Sequence, residues 1–270
     1  HEAAAQEAEA LWAESSDLRL DPAGVAKPGR HERDPSRRAV IAGAIGLAAA
    51  GGGFWASRGE TADHATGVGE TRTIALADGS HVTLNARSAI DVDITRTARR
   101  IRLLRGEVFF EVAPDRARPF TVETRNATVT ALGTAFDIDA SIGSDGVAVA
   151  VTEHAVLIAS ASAPVELGAG RMIVVDRDGG VGAARPVDAS AVTAWRSGLY
   201  IAEDKPLEDV VAAFRAYHAG WIIMRGRDVA ALRVNAVLDL RTPAASLDAL
   251  AAGLPVTIRH FSPYLTVISE

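Results

Sequence analysis

Hydrophobic and polar positions follow three different patterns along the chain. Residues 39–56 are uncharged and mostly apolar, residues 67–184 alternate between apolar and polar, and residues 195–270 combine short apolar runs with helical spacing. Alternation indicates half-buried strands, whereas apolar residues at i, i+3, i+4 and i+7 indicate one face of a helix. The pattern therefore predicts a mainly β protein that ends in a small α+β unit.

Residues 67–184 contain about ten short alternating runs that turn residues separate. The clearest is "TRTIALADGSHVTLN", in which two such runs flank Asp78-Gly79, a strong hairpin signal. Val82 and Leu84 would face the core of this hairpin. Because no helical spacing interrupts the region, we expect an all-β sandwich, a roll or a short solenoid.

The C-terminal region changes period again. "PLEDVVAAFRAYHAG" predicts a helix whose apolar face consists of Leu207, Val210, Val211 and Phe214. "PAASLDALAAGL" predicts a second helix, and the strands are "GLYIA", "WIIM", "LRVNAVLDL", "PVTIRHF" and "YLTVIS". The predicted order is βαβ-βαββ over residues 195–270, with Trp221, Ile222 and Ile223 of "WIIM" in its core.

The N-terminal part reads as helix over residues 1–20 and as a linker rich in proline and glycine over residues 21–38. The chain starts at His1 inside the helical pattern, so we expect an N-terminally shortened form. The apolar run from Ala39 to Ala56 would be roughly 27 Å long as a helix, enough for a bilayer core. Arginines cluster before this run, which predicts a cytoplasmic N-terminus.

Two other interpretations of the apolar run stay open at this stage. It could be a core helix of a soluble protein, although its glycines disfavour that. It could also be a cleaved signal, since Ser36-Arg37-Arg38 before a weakly apolar run resembles a twin-arginine export signal. The long segment before the run favours an uncleaved membrane anchor.

Composition narrows the function classes. The net charge of −6 and a pI near 5.7 argue against a nucleic-acid partner. The absence of cysteine excludes disulfides and thiolate chemistry, and no catalytic or metal motif is recognisable. We therefore expect no catalytic residue, metal or cofactor. The pairs Asp91/Asp93 and Asp137/Asp139 are interpreted as solvated strand faces, with calcium binding as the weaker alternative.

Three motifs carry a resemblance to a known family. "LADGSHVTLNARSAIDVDI", "RRIRLLRGEVFFEVAPDRARPFTVET" and "VTALGTAFDID" resemble the central domain of FecR-type transmembrane sigma regulators, which are anti-sigma factors. The last 75 or so residues resemble the small domain that secretins and TonB-dependent receptors share, and "HEAAAQEAEALW" resembles the end of the family's cytoplasmic domain. The chain departs from the family at Glu153-His154, where Glu-Gly is usual.

The resemblance implies a signalling relay with five parts along the chain: a remnant of the cytoplasmic anti-sigma domain (1–29), a basic linker (30–38), a transmembrane helix (39–56), a periplasmic FecR-like β domain (67–184) and the C-terminal α+β domain (195–270). The protein would cross the bacterial inner membrane once, with its C-terminus in the periplasm. The alternatives are a periplasmic enzyme or carbohydrate-binding protein with a cleaved twin-arginine signal, and a structural envelope protein.

The same resemblance implies the partners. They are an extracytoplasmic-function sigma factor in the cytoplasm, the signalling domain of an outer-membrane TonB-dependent transducer in the periplasm, the lipid bilayer, and periplasmic and intramembrane proteases. The inducing ligand would be a ferric siderophore or a similar iron complex, bound by the transducer. No nucleic-acid partner is expected.

Three sets of residues are candidate sites. Leu11 and Trp12 are candidates for binding the sigma factor, because tryptophan is common at interface hot spots. An exposed edge of "WIIM", "LRVNAVL" or "YLTVIS" could accept a transducer strand, and the "LRVNAVL" edge nominates Arg233, Asn235, Val237 and Asp239. Gly133-Thr134 is a candidate self-cleavage step, in which the threonine hydroxyl attacks the preceding carbonyl. The competing interpretation is a glycine at a bulge.

Overall fold

The structure is a computed structural model that describes residues 62–143 and 145–270. The predictions for Leu11 and Trp12, and the predicted membrane span from Ala39 to Ala56, lie outside these residues. None of the helices in the described part has the length and apolar character that a membrane crossing requires.

The first unit of the structure is built from strands alone. The strands are β1 (His64–Ala65), β2 (Arg72–Ala75), β3 (His81–Leu84), β4 (Ala89–Ile94), β5 (Arg99–Arg105), β6 (Glu107–Glu111), β7 (Phe120–Glu123), β8 (Thr128–Ala131), β9 (Ala135–Asp139), β10 (Val147–Glu153), β11 (Ala155–Ala159), β12 (Val165–Gly168), β13 (Arg171–Val175) and β14 (Arg185–Pro186). We call them together the β unit.

These strands form two seven-stranded sheets. Sheet A has the order β1-β4-β5-β7-β8-β11-β12, and sheet B has the order β14-β13-β10-β9-β6-β3-β2. The predicted hairpin is confirmed, because β2 pairs with β3 in antiparallel register from Arg72↔Leu84 to Ala75↔His81. The mainly β character is also confirmed, with three short strands, β1, β12 and β14, that the alternation did not reveal.

One hydrophobic core lies between the two sheets. Alternate residues of most strands point into it, including Val82 and Leu84 as predicted. Its centre is aromatic, since the ring of Phe110 stacks on Phe136 at 5.0 Å and meets the edge of Phe120 at 6.0 Å. The period-two pattern thus gives each strand one face for this core.

A buried ion pair ties the two sheets together at one end. The Arg99 guanidinium of sheet A lies 3.1 Å from the Asp78 carboxylate in the β2–β3 turn of sheet B. Arg99 also donates to the backbone carbonyls of Arg118 at 2.7 Å and Ala113 at 2.8 Å. These bonds satisfy a charge that has no contact with water, which is the condition for a buried arginine to be tolerated.

The second unit, residues 189–270, contains the helices of the described part. Its elements are α1 (Ala189–Thr193), a 3-10 helix (Ala194–Ser197), β15 (Leu199–Pro206), α2 (Leu207–Arg215), β16 (Trp221–Met224), α3 (Arg227–Ala231), β17 (Arg233–Asp239), α4 (Pro243–Gly253), β18 (Thr257–Ser262) and β19 (Leu265–Ser269). We call it the C-terminal unit.

Two small sheets enclose two helices in the C-terminal unit. β15 pairs with β17, while β19 pairs with both β16 and β18. α2 contacts β15 and β16, and α4 contacts β17 and β18, so both helices pack between the sheets. The predicted order is observed with three additions, which are α1 and the 3-10 helix before β15 and the short helix α3. α2 buries the four residues predicted for its apolar face: Leu207, Val210, Val211 and Phe214.

The prediction that "WIIM" is a core strand is wrong for two of its residues. Trp221 is 77% exposed and Ile223 is 43% exposed, whereas Ile222 packs in the core. β16 is an edge strand of the three-stranded sheet, and the helices cover only one of its faces. A four-residue apolar run cannot distinguish burial on one face from burial on both.

The turn between β10 and β11 keeps its shape without glycine. His154 has a φ of 55°, in the left-handed region that glycine adopts freely. Its carbonyl accepts a hydrogen bond from the Ala169 amide at 2.7 Å. Histidine is among the residues that tolerate this region best, which explains how Glu153-His154 replaces the usual pair.

This conformation predicts opposite effects for two substitutions at an exposed position. His154→Val should lower the free energy of unfolding by about 1–2 kcal/mol, because a β-branched residue fits the left-handed region poorly. His154→Gly should retain or raise stability. Denaturant unfolding measures both, with Glu166→Val on the exposed face of β12 as a control. Equal losses for His154→Val and His154→Gly would contradict the backbone explanation.

Candidate functional site: the seam between the two units

The C-terminal unit packs against the outer face of sheet B. Phe109 on β6 and Ala135 on β9 point away from the β core and join the hydrophobic cluster of the C-terminal unit. Trp195 of the 3-10 helix and Tyr217 after α2 are members of the same cluster. The two units therefore share apolar packing across a common surface, which we call the seam.

Polar contacts fix the orientation of the units across the seam. The Tyr217 hydroxyl donates to the Asn85 side-chain carbonyl. The Gly69 amide donates to the Ala216 carbonyl at 3.1 Å, and the Arg87 guanidinium donates to the His218 carbonyl at 3.2 Å. The loop after α2 is thus held at three points along the β unit.

Arg196 closes one side of the seam. Its guanidinium lies 4.3 Å from the ring centre of Phe109 and 3.1 Å from the Glu111 carboxylate. Beside it runs a groove of about 490 Å³, lined by Thr71, Thr73, Thr83, Thr193, Arg196 and Ser197. The lining offers hydroxyl groups and no aromatic ring on which a sugar could stack.

Three acidic side chains lie on the outer face of sheet B, within the seam. Glu107 on β6 pairs in register with Asp139 on β9, and Asp137 lies two residues before Asp139. Asp137 is 4% exposed and accepts a hydrogen bond from the Trp195 indole at 3.3 Å. Asn85 donates to the Glu107 carboxyl at 2.5 Å. We call Glu107, Asp137 and Asp139 the acidic cluster.

Removal from water raises the pKa of every member of the acidic cluster. Burial is the largest cause for Glu107, and repulsion from Asp137 and Asp139 adds to it. Burial and repulsion from Asp139 likewise hold the pKa of Asp137 well above its usual range. In the folded protein these carboxyls therefore keep their protons to a higher pH than carboxyls in water do.

Burial and nearby carboxylates also raise the pKa of two tyrosines beside the acidic cluster. Burial, followed by the carboxylates of Asp209, Glu107 and Asp139, raises the pKa of Tyr200 to about 12. Burial and the Glu107 carboxylate raise the pKa of Tyr217 as well. Both phenols thus stay neutral hydrogen-bonding groups, as the Tyr217–Asn85 contact needs.

The interpretation of two aspartate pairs as solvated faces is wrong for Asp91 and Asp137. Asp137 is covered by the C-terminal unit, and Asp91 is buried beside the Arg102 guanidinium at 3.6 Å. Alternation along a strand shows that a second face exists and does not show what covers it. In the described residues, no three acidic or histidine side chains are placed to share one metal ion.

Gly133 and Thr134 lie between β8 of sheet A and β9 of sheet B. Gly133 has a φ of 131°, and a Cβ there would lie 2.9 Å from the Pro114 Cα, so glycine is required for steric reasons. The Thr134 hydroxyl donates to the Glu153 carbonyl. This accounts for the glycine without chemistry, and self-cleavage at the Gly133–Thr134 bond stays a prediction.

The four transducer-binding candidates lie together on one face of β17. Arg233, Asn235, Val237 and Asp239 alternate with the buried Val234 and Leu238, which face the helices. Val237 is 64% exposed at the centre of this face.

Exposed ion pairs flank Val237 on both sides. Arg233 makes two hydrogen bonds to Asp204, at 2.9 and 2.7 Å. Asp239 accepts two from Arg241, both at 2.9 Å. The edge of β17 opposite β15 has no strand partner within the described residues.

Sequence reasoning missed the seam. Asn85, Glu107, Trp195 and Tyr217 carry its polar contacts, and each belongs to a different segment of the chain. The one available signal was the adjacent pair Phe109 and Phe110, because two neighbouring strand residues face opposite sides and one ring had to lie outside the β core.

Comparison with known proteins identifies the class. Residues 62–157 match the family model described as FecR protein. Two crystal structures of a "putative anti-sigma factor" from Parabacteroides distasonis ATCC 8503, at 1.65 and 2.50 Å resolution, are similar to this chain with TM-scores of 0.68 and 25% identity. The first alignment covers 76% of this chain and 97% of the crystal structure; the second covers 77% and 97%.

A share of 76% is more than the β unit alone could supply, so the likeness includes the C-terminal unit. No curated protein matches the chain. The chain contains a domain of the FecR family at residues 62–157, and its described part is similar in structure to the anti-sigma factor crystal structures. Proteins of this family are regulators rather than enzymes.

The acidic cluster predicts that stability falls as the pH rises above the usual carboxyl range. The folded protein keeps protons that the unfolded chain releases, because each pKa is raised on folding. Carboxylates with a lowered pKa, such as Asp204 beside Arg233, act in the opposite sense and only at lower pH. The change in the thermal unfolding temperature between about pH 5 and pH 8 therefore reports the acidic cluster and not the carboxylates with a lowered pKa.

Glu107→Gln should flatten this dependence, since glutamine keeps the acceptor for Asn85 and cannot ionise. Relative to the parent protein, the variant gains thermal stability at the higher pH and loses this advantage at the lower pH. Glu166→Gln, on an exposed position of β12, should leave the slope unchanged. Parallel curves for Glu107→Gln and the parent would show that the cluster does not titrate in this range.

Proposed function

We propose that the chain is a single-pass regulator in the bacterial inner membrane that controls an extracytoplasmic-function sigma factor. The observation that carries the proposal is the likeness of both units to the anti-sigma factor crystal structures, together with the FecR match. Residues before the apolar run would bind the sigma factor in the cytoplasm, with Leu11 and Trp12 as contacts. Residues 62–270 would lie in the periplasm.

The input of this relay would be the signalling domain of a TonB-dependent transducer in the outer membrane. The C-terminal unit supports this part of the proposal, because two helices between two small sheets agree with the resemblance to the domain of secretins and TonB-dependent receptors. Ferric siderophore uptake is the inducing event that the family resemblance favours. Stepwise proteolysis of the regulator would then release the signal.

The outer face of β17 has the features of a strand-addition site. An unpaired edge supplies backbone hydrogen bonds, and an exposed apolar side chain, Val237, lies between two ion pairs that mark the register. Surface ion pairs contribute little stability of their own. They are therefore available to exchange partners when a transducer strand binds.

The alternative of a periplasmic carbohydrate-binding protein or enzyme is less well supported. The groove beside Arg196 is lined mostly by hydroxyl groups, whereas ligand pockets are generally apolar with a few convergent polar groups. No observation on the described residues favours this second function over regulation.

Substitution on β17 tests the transducer contact. Val237→Glu should weaken binding of the chain to the purified signalling domain of its proposed transducer by about tenfold or more, because a charge replaces a central apolar contact. Ile223→Glu, on the other small sheet, is a matched control with an exposed apolar residue. Calorimetry measures both. Equal losses, or a loss for Ile223→Glu alone, would place the contact away from β17.

Membrane topology tests the relay as a whole. In spheroplasts that express the chain with a tag at each end, protease should digest the C-terminal tag and leave the N-terminal tag intact. Both tags should stay with the membrane before digestion. A soluble C-terminal part that lacks about the first 50 residues would instead identify the apolar run as a signal peptide.

A further inference from the structure

Three exposed aromatic side chains lie together at one end of the three-stranded sheet. Trp221, Phe261 and Tyr264 are 77%, 64% and 65% exposed. The Trp221 amide donates to the Tyr264 carbonyl at 2.7 Å, which places the start of β16 beside the turn between β18 and β19. Large aromatic groups left in water are a feature of interaction surfaces. We call these three residues the aromatic tip.

The backbone holds the aromatic tip in place. A Cβ on Gly220 would lie 2.1 Å from the Tyr264 carbonyl oxygen, so the chain before Trp221 packs directly on the β18–β19 turn. Within that turn the Tyr264 amide donates to the Ser262 hydroxyl at 3.1 Å. The aromatic rings are thus presented outward by ordered backbone and do not fold back onto the sheet.

The outer face of the sheet continues the apolar surface of the tip. Ile223, Val267 and Arg259 are neighbours across the three strands, on the side away from the helices. Ile223 and Arg259 are exposed, and Arg225 is exposed just after β16. The outward strand positions of this face include an arginine and no carboxylate. Its chemistry is therefore aromatic, aliphatic and cationic.

The loop that leads into the aromatic tip is fixed to the β unit. It contacts that unit through the Gly69–Ala216 and Arg87–His218 hydrogen bonds. The predicted membrane span ends at Ala56, and the structure begins at Ala62. That stretch of chain can reach roughly 20 Å at most when fully extended, so the start of the β unit, to which this loop is joined, stays near the bilayer surface.

We propose that the aromatic tip and the adjoining sheet face dock on the anionic lipid surface of the membrane that holds the chain's own span. The inference rests on the membrane anchoring in the proposed function. Tryptophan and tyrosine side chains favour the interface between lipid and water, and arginines beside them attract anionic headgroups. The two-stranded sheet lies on the other side of the helices, so docking directs β17 away from the lipid.

A single label can test the docking, because the chain contains no cysteine. Pro263→Cys, between Phe261 and Tyr264, carries a fluorophore at the tip without removing an aromatic group. Ala163→Cys is the control, in the exposed turn before β12, on the edge of sheet A farthest from β1. The full chain is reconstituted into phosphatidylglycerol-containing vesicles whose headgroups carry a nitroxide quencher.

Docking predicts quenching at position 263 that is at least about threefold stronger than at position 163. Replacing Trp221, Phe261 and Tyr264 together by serine should lower the ratio of docked to free units by about tenfold or more. These side chains are mostly in water, so the variant should still fold, and circular dichroism checks this. Arg259→Glu should lower the same ratio by about fivefold or more.

Equal quenching at positions 263 and 163 overturns the proposal. The label at position 263 is also followed in detergent without lipid. If it becomes shielded from water there as the protein concentration rises, a second copy covers the face and the proposal is overturned. Shielding of this label that occurs only after a transducer signalling domain is added would overturn the proposal as well. Resistance to alkaline carbonate extraction is measured on the same vesicles. A chain that is extracted fails the proposed anchoring, whereas an inserted chain with an unquenched tip fails the docking alone.

Discussion

Phe109 lies on the outer face of sheet B, where it would meet water if the β unit stood alone. Trp195 and Tyr217 cover this ring, and they also cover the acidic cluster that lies beside it. Burying a ring of this size stabilises by about 1.5–3 kcal/mol, while carboxyls taken out of water oppose the packing unless they keep their protons. The balance of these two terms sets how strongly the units are held together, and the hydrogen bonds of the seam fix their relative orientation. The directions of the β17 face and the aromatic tip both follow from it.

The parts of the fold that depend on local spacing were predictable. The β2–β3 hairpin, the buried face of α2 and the outward positions of β17 follow from periods of 2 and 3.6 residues, and all three are observed. His154 extends this to backbone geometry, since the family pattern indicated a turn that favours glycine and the structure keeps its left-handed φ. In each case the relevant partners lie within a few residues.

Contacts between distant segments were not predictable from the same patterns. Asp137 and Trp221 show the two opposite errors: an acid expected in water is covered, and a tryptophan expected in the core is exposed. Both outcomes depend on which element packs on the second face of a strand. Asn85 and Tyr217 are 132 positions apart, and no period in the sequence connects them. The candidate site is therefore a product of tertiary packing, whereas most of its strands are products of local sequence.

The first strand of the structure is held weakly compared with the later strands of its sheet. β1 pairs with β4 through only His64 and Ala65, and neither residue belongs to the β core. On one side of β1 the Asp63 carboxylate accepts from the Val92 amide at 2.9 Å, and on the other the Thr66 hydroxyl donates to the Asn85 carbonyl at 2.6 Å and accepts from the Ser88 amide at 2.9 Å. A pull from the membrane side would separate β1 from β4 and leave the other six strands of sheet A, and all of sheet B, paired. The separated segment is an extended peptide, the form in which a protease cleft accepts a main chain.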